Sequence, residues 1–231
     1  MVPSKKWVIT IDGPAGAGKS TVSKLLAQKL GYIYLDTGAM YRAVALLAKE
    51  SDHSDPLDEK TLEDICLGLD LEFVQKDGIL RLLANGRDIT EEIRKPEISS
   101  LASAVSAKGV VRERLSMIQR SMGNSGGVVI EGRDMGTVVF PDADVKFFLD
   151  ARPEVRSARR FLELEAQGQD TTADEVHQLM LERDRNDRSR QLAPLKPAED
   201  AILVDSSDLQ IEAVVQLMLD HIEAMSKAHN T

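Results

Sequence analysis

The stretch Gly13-Pro14-Ala15-Gly16-Ala17-Gly18-Lys19-Ser20 carries the strongest structural signal in the chain. It matches the pattern G-x-x-x-x-G-K-[ST] at every fixed position, with an apolar run before it and a helical pattern after it. Glycines let backbone N–H groups close around phosphate oxygens, and the N-terminus of the following helix adds the positive end of its dipole. The stretch therefore predicts a phosphate-binding loop between a strand and a helix.

Two side chains of this loop suit the chemistry of a nucleoside triphosphate. Lys19 supplies a point charge for the β and γ phosphates, and the hydroxyl of Ser20 is a candidate ligand for Mg²⁺. A glycine-rich turn that binds nothing is the alternative, and the motif and its context together weigh against it. The residues expected to bind ATP are Gly13, Pro14, Ala15, Gly16, Ala17, Gly18, Lys19, Ser20 and Thr21.

Around the loop, five short apolar runs alternate with longer helical patterns. Runs of this length fit strands buried on both faces of a sheet, and their alternation with helices predicts a parallel sheet with right-handed crossovers. The runs are Trp7–Ile11, Tyr32–Leu35, Val128–Ile130, Val145–Leu149 and Ile202–Val204. The predicted fold class is α/β, a P-loop NTPase-like five-stranded parallel sheet flanked by helices.

Residues 57–95 break this alternation. Two strand-like runs, Leu71–Val74 and Ile79–Ala84, are separated by a turn at 76–78, and Asn85-Gly86 is a strong two-residue hairpin turn. We therefore expect a small antiparallel β insertion. Helical patterns follow at about 96–108 and 110–122.

The bulk composition limits the class of protein. The chain has 231 residues, which suits one domain with an insertion or a mobile lobe. A net charge of -9 argues against sequence-independent binding to nucleic acid. One cysteine, Cys66, excludes an internal disulfide, and the scattered histidines make a zinc site improbable. With no secretory signal and no apolar run of membrane-spanning length, we expect a cytoplasmic protein, and we expect a monomer.

Candidate acceptor-binding residues follow the second and third predicted strands of the parallel sheet. Ligands of open α/β sheets bind at the carboxyl ends of strands, so both loops point toward the site. Arg42 suits a bidentate clamp on phosphate, and Tyr41 suits packing on a base or sugar. Arg133 offers a second phosphate ligand, and the carboxylate of Asp134 suits an exocyclic amine such as cytosine N4. An ordinary surface arginine and an internal ion-pair partner are the alternatives for Arg42 and Asp134.

The segment 151–190 contains eight arginines and no lysine. Exclusive use of arginine fits planar recognition of phosphates in a helical lid, although a solvated helix face explains about half of them, Arg152 and Arg185 among them. A capping-box spacing at Thr172 and Glu175 predicts the start of the second lid helix. The full set is Arg152, Arg156, Arg159, Arg160, Arg183, Arg185, Arg188 and Arg190.

These residues predict a P-loop kinase of a small phosphorylated or hydroxylated metabolite. Transfer to a phosphate acceptor needs alignment, charge neutralisation and exclusion of water more than acid–base chemistry. The absence of N-K-x-D counts against a GTPase. An ATP-driven binding switch and an RNA-associated P-loop protein remain as other classes, and the acidic charge makes the second the weakest.

The chain also resembles a known family. The phosphate-binding loop, D-T-G-A-M-Y-R at 36–42, E-G-R-D-M-G-T-V-V-F-P-D-A at 131–143 and E-R-D-R-N-D-R-S-R at 182–190 together resemble the bacterial cytidylate kinases, a nucleoside monophosphate kinase family. The resemblance spans about residues 8–220. It implies transfer of the γ-phosphate of ATP to CMP or dCMP with Mg²⁺, in pyrimidine nucleotide metabolism. It also implies a core at 1–56, 96–150 and 191–231, an acceptor-binding insertion at 57–95 and a lid at 151–190.

The resemblance also implies roles for individual residues. The CMP-binding set is Thr37, Tyr41, Arg42, Ser103, Arg112, Arg133, Asp134, Arg183, Asp187 and Arg190, of which Ser103, Arg112 and Asp134 read cytosine. The catalytic set is Lys19, Arg133, Arg156, Arg160 and Arg183. Some relatives carry Gly where Ser20 stands, which puts an essential role of its hydroxyl in doubt. UMP, AMP or a non-nucleotide acceptor remains the nearest alternative.

Overall fold

A computed structural model describes residues 6–51, 55–76, 79–166 and 168–229. The chain divides into two compact units, one formed by residues up to Leu35 together with those from Ser125 onward, the other by Asp36–Asn124. In chain order, the strands are β1 (Val8–Asp12), β2 (Ile33–Asp36), β3 (Leu71–Lys76), β4 (Ile79–Ala84), β5 (Arg87–Asp88), β6 (Val128–Gly132), β7 (Val145–Asp150) and β8 (Ile202–Asp205). The helices are α1 (Lys19–Leu30), α2 (Thr37–Glu50), α3 (Glu59–Leu67), α4 (Pro96–Val105), α5 (Gly109–Gly123), α6 (Pro153–Ala166), α7 (Ala173–Ser189) and α8 (Ile211–His229). A 3₁₀ turn spans Glu92–Arg94, and a π-helical turn spans Met135–Val139.

The first unit is built on a five-stranded sheet in the order β2-β6-β1-β7-β8. The strand β1 pairs in parallel with β6 and β7, and β7 pairs in parallel with β8. All five apolar runs are strands, which confirms the predicted sheet. The central strands β1, β6 and β7 are almost wholly buried, which is why they read as continuous apolar runs.

Helix α1 follows the phosphate-binding loop and turns one apolar stripe inward. Val22, Leu26 and Leu30 on this stripe are buried. Gly31 ends the helix in the left-handed conformation, with φ of 68°, as its position after Leu30 predicts. The helix therefore begins at the end of the phosphate-binding loop and ends at Gly31. Helix α8 packs against it.

The second unit has its own hydrophobic core and its own sheet. The strands β3, β4 and β5 form an antiparallel sheet, which confirms the predicted insertion. Asn85 and Gly86 both have positive φ, 51° and 80°, as a two-residue hairpin turn of this kind requires. Of the turn predicted at 76–78, residues 77 and 78 lie outside the described part of the chain. Helix α3 lies inside the 57–95 segment, where the sequence pattern had indicated only strands.

The two predicted helices of 151–190 are α6 and α7. The capping box is confirmed, because the Glu175 N–H donates to Thr172 Oγ1 at 3.3 Å and Glu175 Oε2 accepts from the Thr172 N–H at 2.8 Å. The sequence pattern predicts that the first of these helices runs from about residue 153 to 167 and is stopped by Gly168; residue 167 lies outside the described residues. Across the described part of the chain, none of the helices has the length and apolar content required to cross a membrane.

The buried stripe of α1 gives a direct test of the core of the first unit. Leu26 is fully buried, whereas Leu203 on β8 is 69% exposed. We expect Leu26→Ala to lower the free energy of unfolding by about 2–5 kcal/mol, because it leaves a cavity. The matched variant Leu203→Ala should change it by less than about 0.5 kcal/mol. Urea unfolding, followed by the fluorescence of the single, buried tryptophan Trp7, measures the free energy of unfolding of both variants. A loss for Leu26→Ala as small as that expected for Leu203→Ala would mean that α1 is not part of this core.

Candidate active site

The backbone of the phosphate-binding loop passes too close to its neighbours for side chains at two positions. Gly13 has φ of 149°, and a Cβ there would lie 1.9 Å from the Leu149 carbonyl oxygen. Gly16 has φ of 74°, and a Cβ there would lie 2.7 Å from Met180 Cε and 2.8 Å from the Arg156 carbonyl oxygen. Glycine is therefore required at both positions for packing as well as for conformation.

Lys19 begins α1 and is buried, with 6% of its surface exposed. Its Nζ donates to the Pro14 carbonyl oxygen at 2.6 Å. Burial, together with the positive charges of Arg133 and Arg183, lowers the pKa of Lys19 to about 7. The negative charge of an incoming phosphate would raise this pKa, so the neutral amine of Lys19 would gain a proton on binding.

Two side chains from outside the loop hold its carbonyl groups. Arg156 Nη1 donates to the Ala15 oxygen at 3.0 Å, and Ser206 Oγ donates to the Ala17 oxygen at 3.1 Å. In a trans peptide the carbonyl and the next N–H point in opposite directions. The N–H groups of Gly16 and Gly18 are therefore turned away from these tethers, which suits binding of phosphate oxygens.

Ser20 and Thr21 lie in the first turn of α1 and are exposed. This turn contains no acidic residue, so the positive end of the helix dipole is not neutralised locally. Within the described ranges, no group of three or more His, Cys, Asp or Glu side chains is arranged to hold a metal ion. Mg²⁺ bound mainly by phosphates and water needs only one or two protein ligands, and the exposed Ser20 hydroxyl fits that requirement.

Arg156 on α6 is almost fully buried and held on several sides. Besides its bond to the loop, its Nε donates to the Ala151 oxygen at 2.9 Å, and its Nη2 lies 2.6 Å from Asp184 Oδ2 on α7. One guanidinium group thus joins α6, α7 and the phosphate-binding loop. Arg160, one turn further along α6, is partly exposed and pairs with Glu163 at 3.0 Å.

The carboxylate of Asp187 on α7 interacts electrostatically with three arginines. Arg133 Nε donates to Asp187 Oδ2 at 3.0 Å, and Arg190 Nη1 lies 3.6 Å from Oδ1. Burial alone would raise the pKa of Asp187, but Arg133, Arg183 and Arg190 outweigh it and hold that pKa below its ordinary value. Three predicted arginines and the predicted Asp187 therefore form one charge cluster.

Asp134 is 2% exposed and stands between Arg133 and the π-helical turn. Its carbonyl oxygen accepts from the N–H groups of Val138 and Val139, at 2.9 and 3.2 Å. Its position on the segment is therefore fixed by the turn that follows it.

Within the second unit, Thr37 and Arg42 belong to the first turns of α2. Asp36 caps this helix by accepting from the Ala39 N–H at 2.9 Å, and its other oxygen accepts from Arg42 Nη2 at 3.0 Å. Thr37, the first residue of α2, is buried. The capping carboxylate thus also orients the guanidinium group of Arg42.

The predicted base-reading residues of the second unit are connected. The guanidinium carbon of Arg112 lies 5.6 Å from the centre of the Tyr41 ring, a cation–π distance. Arg112 Nη1 donates to the Ser106 oxygen at 2.9 Å, and Ser106 Oγ donates to the Ser103 oxygen at 2.7 Å. Arg112 thus lies over the ring of Tyr41 and is linked through Ser106 to the backbone carbonyl of Ser103.

Sequence reasoning missed several residues that build the site of the first unit. Asp12, Asp184 and Ser206 each bind a segment that carries predicted site residues. Ser206 also accepts from Arg159, whose Nη2 donates to its carbonyl oxygen at 2.7 Å. Asp12 carried a usable signal, since it is a charged residue at the end of an apolar strand and immediately before Gly13. The other two have no such signal, because their partners are distant in sequence.

The chain is similar to known proteins over most of its length. The family model described as cytidylate kinase matches residues 9–224. A cytidylate kinase from Geobacter sp. (strain M21) is 53% identical over 91% of this chain and 90% of its own length. One from Syntrophotalea carbinolica is 50% identical over 94% and 92%, and one from Caldicellulosiruptor bescii is 49% identical over 94% and 95%.

A solved structure, shikimate kinase from Bacteroides thetaiotaomicron, matches with a TM-score of 0.50 at 15% identity, covering 94% of this chain and 98% of its own. At that identity the match speaks for the fold alone, and it agrees with the observed parallel sheet. The family model covers nearly the whole chain, and relatives of about half identity span it almost end to end. The chain belongs to the cytidylate kinase family.

Proposed function

We propose that this protein transfers the γ-phosphate of ATP to CMP or dCMP, giving ADP and CDP or dCDP. The observation that carries the proposal is the buried Lys19 at a phosphate-binding loop, electrostatically coupled to the arginines Arg133 and Arg183 that gather on Asp187. Binding of one nucleotide requires the phosphate-binding loop with Lys19. Binding of a second phosphorylated ligand gives a reason for the arginines Arg133 and Arg183. The names of the relatives support CMP as the acceptor.

The acceptor phosphate is already a nucleophile near neutral pH, so the protein does not need to remove a proton from it. The proposed work of the chain is alignment of the two phosphates, neutralisation of their charge and exclusion of water. On the donor side, the loop N–H groups would bind the phosphates, and Lys19 would neutralise the transferring group together with Arg156 and Arg160. The residues proposed to bind ATP are Gly13 to Thr21.

On the acceptor side, we propose that Arg42, Arg133, Arg183 and Arg190 neutralise the CMP phosphate and that Asp187 contacts the sugar. Arg42, Arg133 and Arg190 are each paired with a carboxylate, so a phosphate would replace one anionic partner by another. Such an exchange keeps the buried charge compensated with and without ligand. The remaining proposed contacts are Thr37, Tyr41, Ser103, Arg112 and Asp134.

Mg²⁺ would be held through Ser20 and would supply charge neutralisation for the ATP phosphates. The division into a core, an acceptor-binding insertion at 57–95 and a lid at 151–190 remains part of the proposal, as does action as a monomer. A kinase of UMP or of a non-nucleotide acceptor, and an ATP-driven switch, are the alternatives that the first experiment separates.

The first experiment measures ADP production from Mg-ATP with CMP, dCMP, UMP, AMP and GMP in parallel. We expect turnover with CMP and dCMP to exceed that with the other three by at least about tenfold, a difference of 1.4 kcal/mol in transition-state binding. Preference for another monophosphate would keep the phosphate-binding loop but reject Ser103, Arg112 and Asp134 as readers of cytosine. ATP binding without acceptor-dependent turnover would favour the switch.

The lowered pKa of Lys19 predicts proton uptake when ATP binds. With a pKa of about 7 in the free protein, Lys19 is mostly neutral at pH 8, and bound phosphates would hold it protonated. We expect the number of protons taken up per ATP to be clearly larger at pH 8 than at pH 6. Titration calorimetry in buffers of different ionisation enthalpy measures this number.

Two variants test whether this proton belongs to Lys19. Lys19→Arg carries a permanent charge, so it should bind ATP without the uptake, whereas Lys29→Ala, on the exposed side of the same helix, should behave like wild type. Lys19→Ala should lose most of the transfer activity. Uptake that persists in Lys19→Arg would assign the proton to another group.

Arg42 gives a test of the acceptor residues. We expect Arg42→Ala to raise the KM for CMP by about 10- to 100-fold, because it removes a charge-assisted hydrogen bond worth about 1.5–3 kcal/mol. The Kd for ATP should stay within about twofold of wild type. Arg87→Ala is the matched control, since Arg87 pairs with Glu50 at the other end of α2, at 2.9 Å. Equal weakening of ATP and CMP binding by Arg42→Ala would remove Arg42 from the acceptor site.

A further inference from the structure

Asp12 is the last residue of β1 and is 4% exposed. Its Oδ1 accepts from the Met135 N–H at 2.9 Å, and its Oδ2 accepts from the Gly136 N–H at 2.7 Å. These two N–H groups begin the π-helical turn and would otherwise have no partner within it. Each carboxylate oxygen therefore binds one donor of a segment more than 120 residues away.

The position of Asp12 in the sheet makes these two bonds significant. The next residue, Gly13, opens the phosphate-binding loop, and the residues just before Met135 are Arg133 and Asp134. In the parallel register of β1 and β6, Asp12 lies opposite Gly132. One carboxylate therefore ties the start of the loop proposed to bind ATP to the segment proposed to bind the acceptor.

Burying the carboxylate of Asp12 at the end of a core strand has a cost in free energy. Burial raises its pKa to about 6, and the negative charge of Asp134 adds to that effect. The N–H groups of Gly136 and Met135 and the positive charge of Lys19 oppose it. Because the folded-state pKa lies above the ordinary value, ionised Asp12 lowers stability as the pH rises through 6. Such a cost is more easily explained by a functional role than by packing.

We propose that Asp12 is a positioning residue that fixes the segment carrying Arg133 and Asp134 against the start of the phosphate-binding loop, and so sets the alignment of acceptor with donor. The inference rests on the proposed function for the identity of the two ligands. The contact itself does not depend on that identity. A misplacement of about 1 Å at this point can cost about 100-fold in rate.

Asp12→Asn keeps the size of the side chain but replaces one acceptor oxygen by an NH₂ group that faces a backbone N–H. We expect kcat to fall by about 10- to 100-fold and the KM for CMP to rise, with the Kd for ATP, measured without acceptor, within about threefold of wild type. An equal loss of ATP affinity would mean that Asp12 supports only the phosphate-binding loop. Unchanged kinetics would also reject the proposal.

Thr10→Val is the matched control. Thr10 lies two residues before Asp12 on the same face of β1, is fully buried, and its Oγ1 has no hydrogen-bond partner in the described part of the chain. Valine has nearly the same shape, so kcat and both KM values should not change. If Thr10→Val lowered kcat as much as Asp12→Asn does, any substitution on this face of β1 would impair the enzyme. The kinetics of Asp12→Asn would then give no support to a positioning role.

An NMR readout separates this inference from the proposed function. In the wild type, the amide protons of Met135 and Gly136 should shift together with a midpoint near pH 6, because both donate to the titrating carboxylate. Asp12→Asn should abolish the shift and lower the protection of these two amides from hydrogen exchange. Unchanged shifts and unchanged protection of both amides in Asp12→Asn would overturn the contact even if CMP is phosphorylated.

Two further outcomes are distinguishable. If the wild type shows the titration but does not phosphorylate CMP, the proposed function fails while the contact stands, and the ATP and acceptor comparison is repeated with the monophosphate that is active. If Asp12→Asn does not fold, Asp12→Ser, which is smaller and still polar, should show the same split between kcat and ATP affinity. A serine variant with wild-type kinetics would reject the positioning role.

Discussion

Compensation of buried charge is the constraint on which the first unit depends. Lys19, Glu131, Asp134, Arg156 and Asp187 are all buried, and an uncompensated ion in that environment would cost several kcal/mol. Each buried charge therefore requires a partner, and the partners come from different parts of the chain. Tyr34 on β2 donates to the carboxylate of Glu131, and α7 supplies Asp184 and Asp187 for two arginines. The sheet and the helices α6 and α7 are held in register by these requirements.

The same constraint fixes the carbonyl groups of the phosphate-binding loop. Its carbonyl groups at Pro14, Ala15 and Ala17 accept from Lys19, Arg156 and Ser206. Its glycines pack against the backbone of β7 and the side chain of Met180 on α7. Because the carbonyls are fixed, the N–H groups at Gly16 and Gly18 are preorganised. Preorganised donors cost little reorganisation energy when phosphate arrives, and that is the main source of electrostatic catalysis.

A single carboxylate, Asp12, connects this loop to the segment of Arg133. The π-helical turn that it caps is an uncommon structure, and such turns are frequent at functional sites. Gly136 is needed there, since a Cβ would lie 3.0 Å from Thr10 Oγ1 and 3.2 Å from Lys146 Cδ. The close approach of the turn to β1 is what brings its N–H groups within reach of Asp12. The phosphate-binding loop and the segment that carries Arg133 thus share one support.

The sequence by itself determined most of the secondary-structure elements. Continuous apolar runs predicted all five parallel strands, Asn85-Gly86 predicted the hairpin, and Thr172 with Glu175 predicted the cap of α7, because each signal is local. The motif at 13–20 predicted the phosphate-binding loop for the same reason. Only the tertiary structure decided which buried charges meet. The contacts of Asp12 with Met135, of Arg156 with Ala15 and of Ser206 with Ala17 join residues more than 120 positions apart. No local pattern specifies such pairs, because they result from strand order and register, which depend on the packing of the whole sheet.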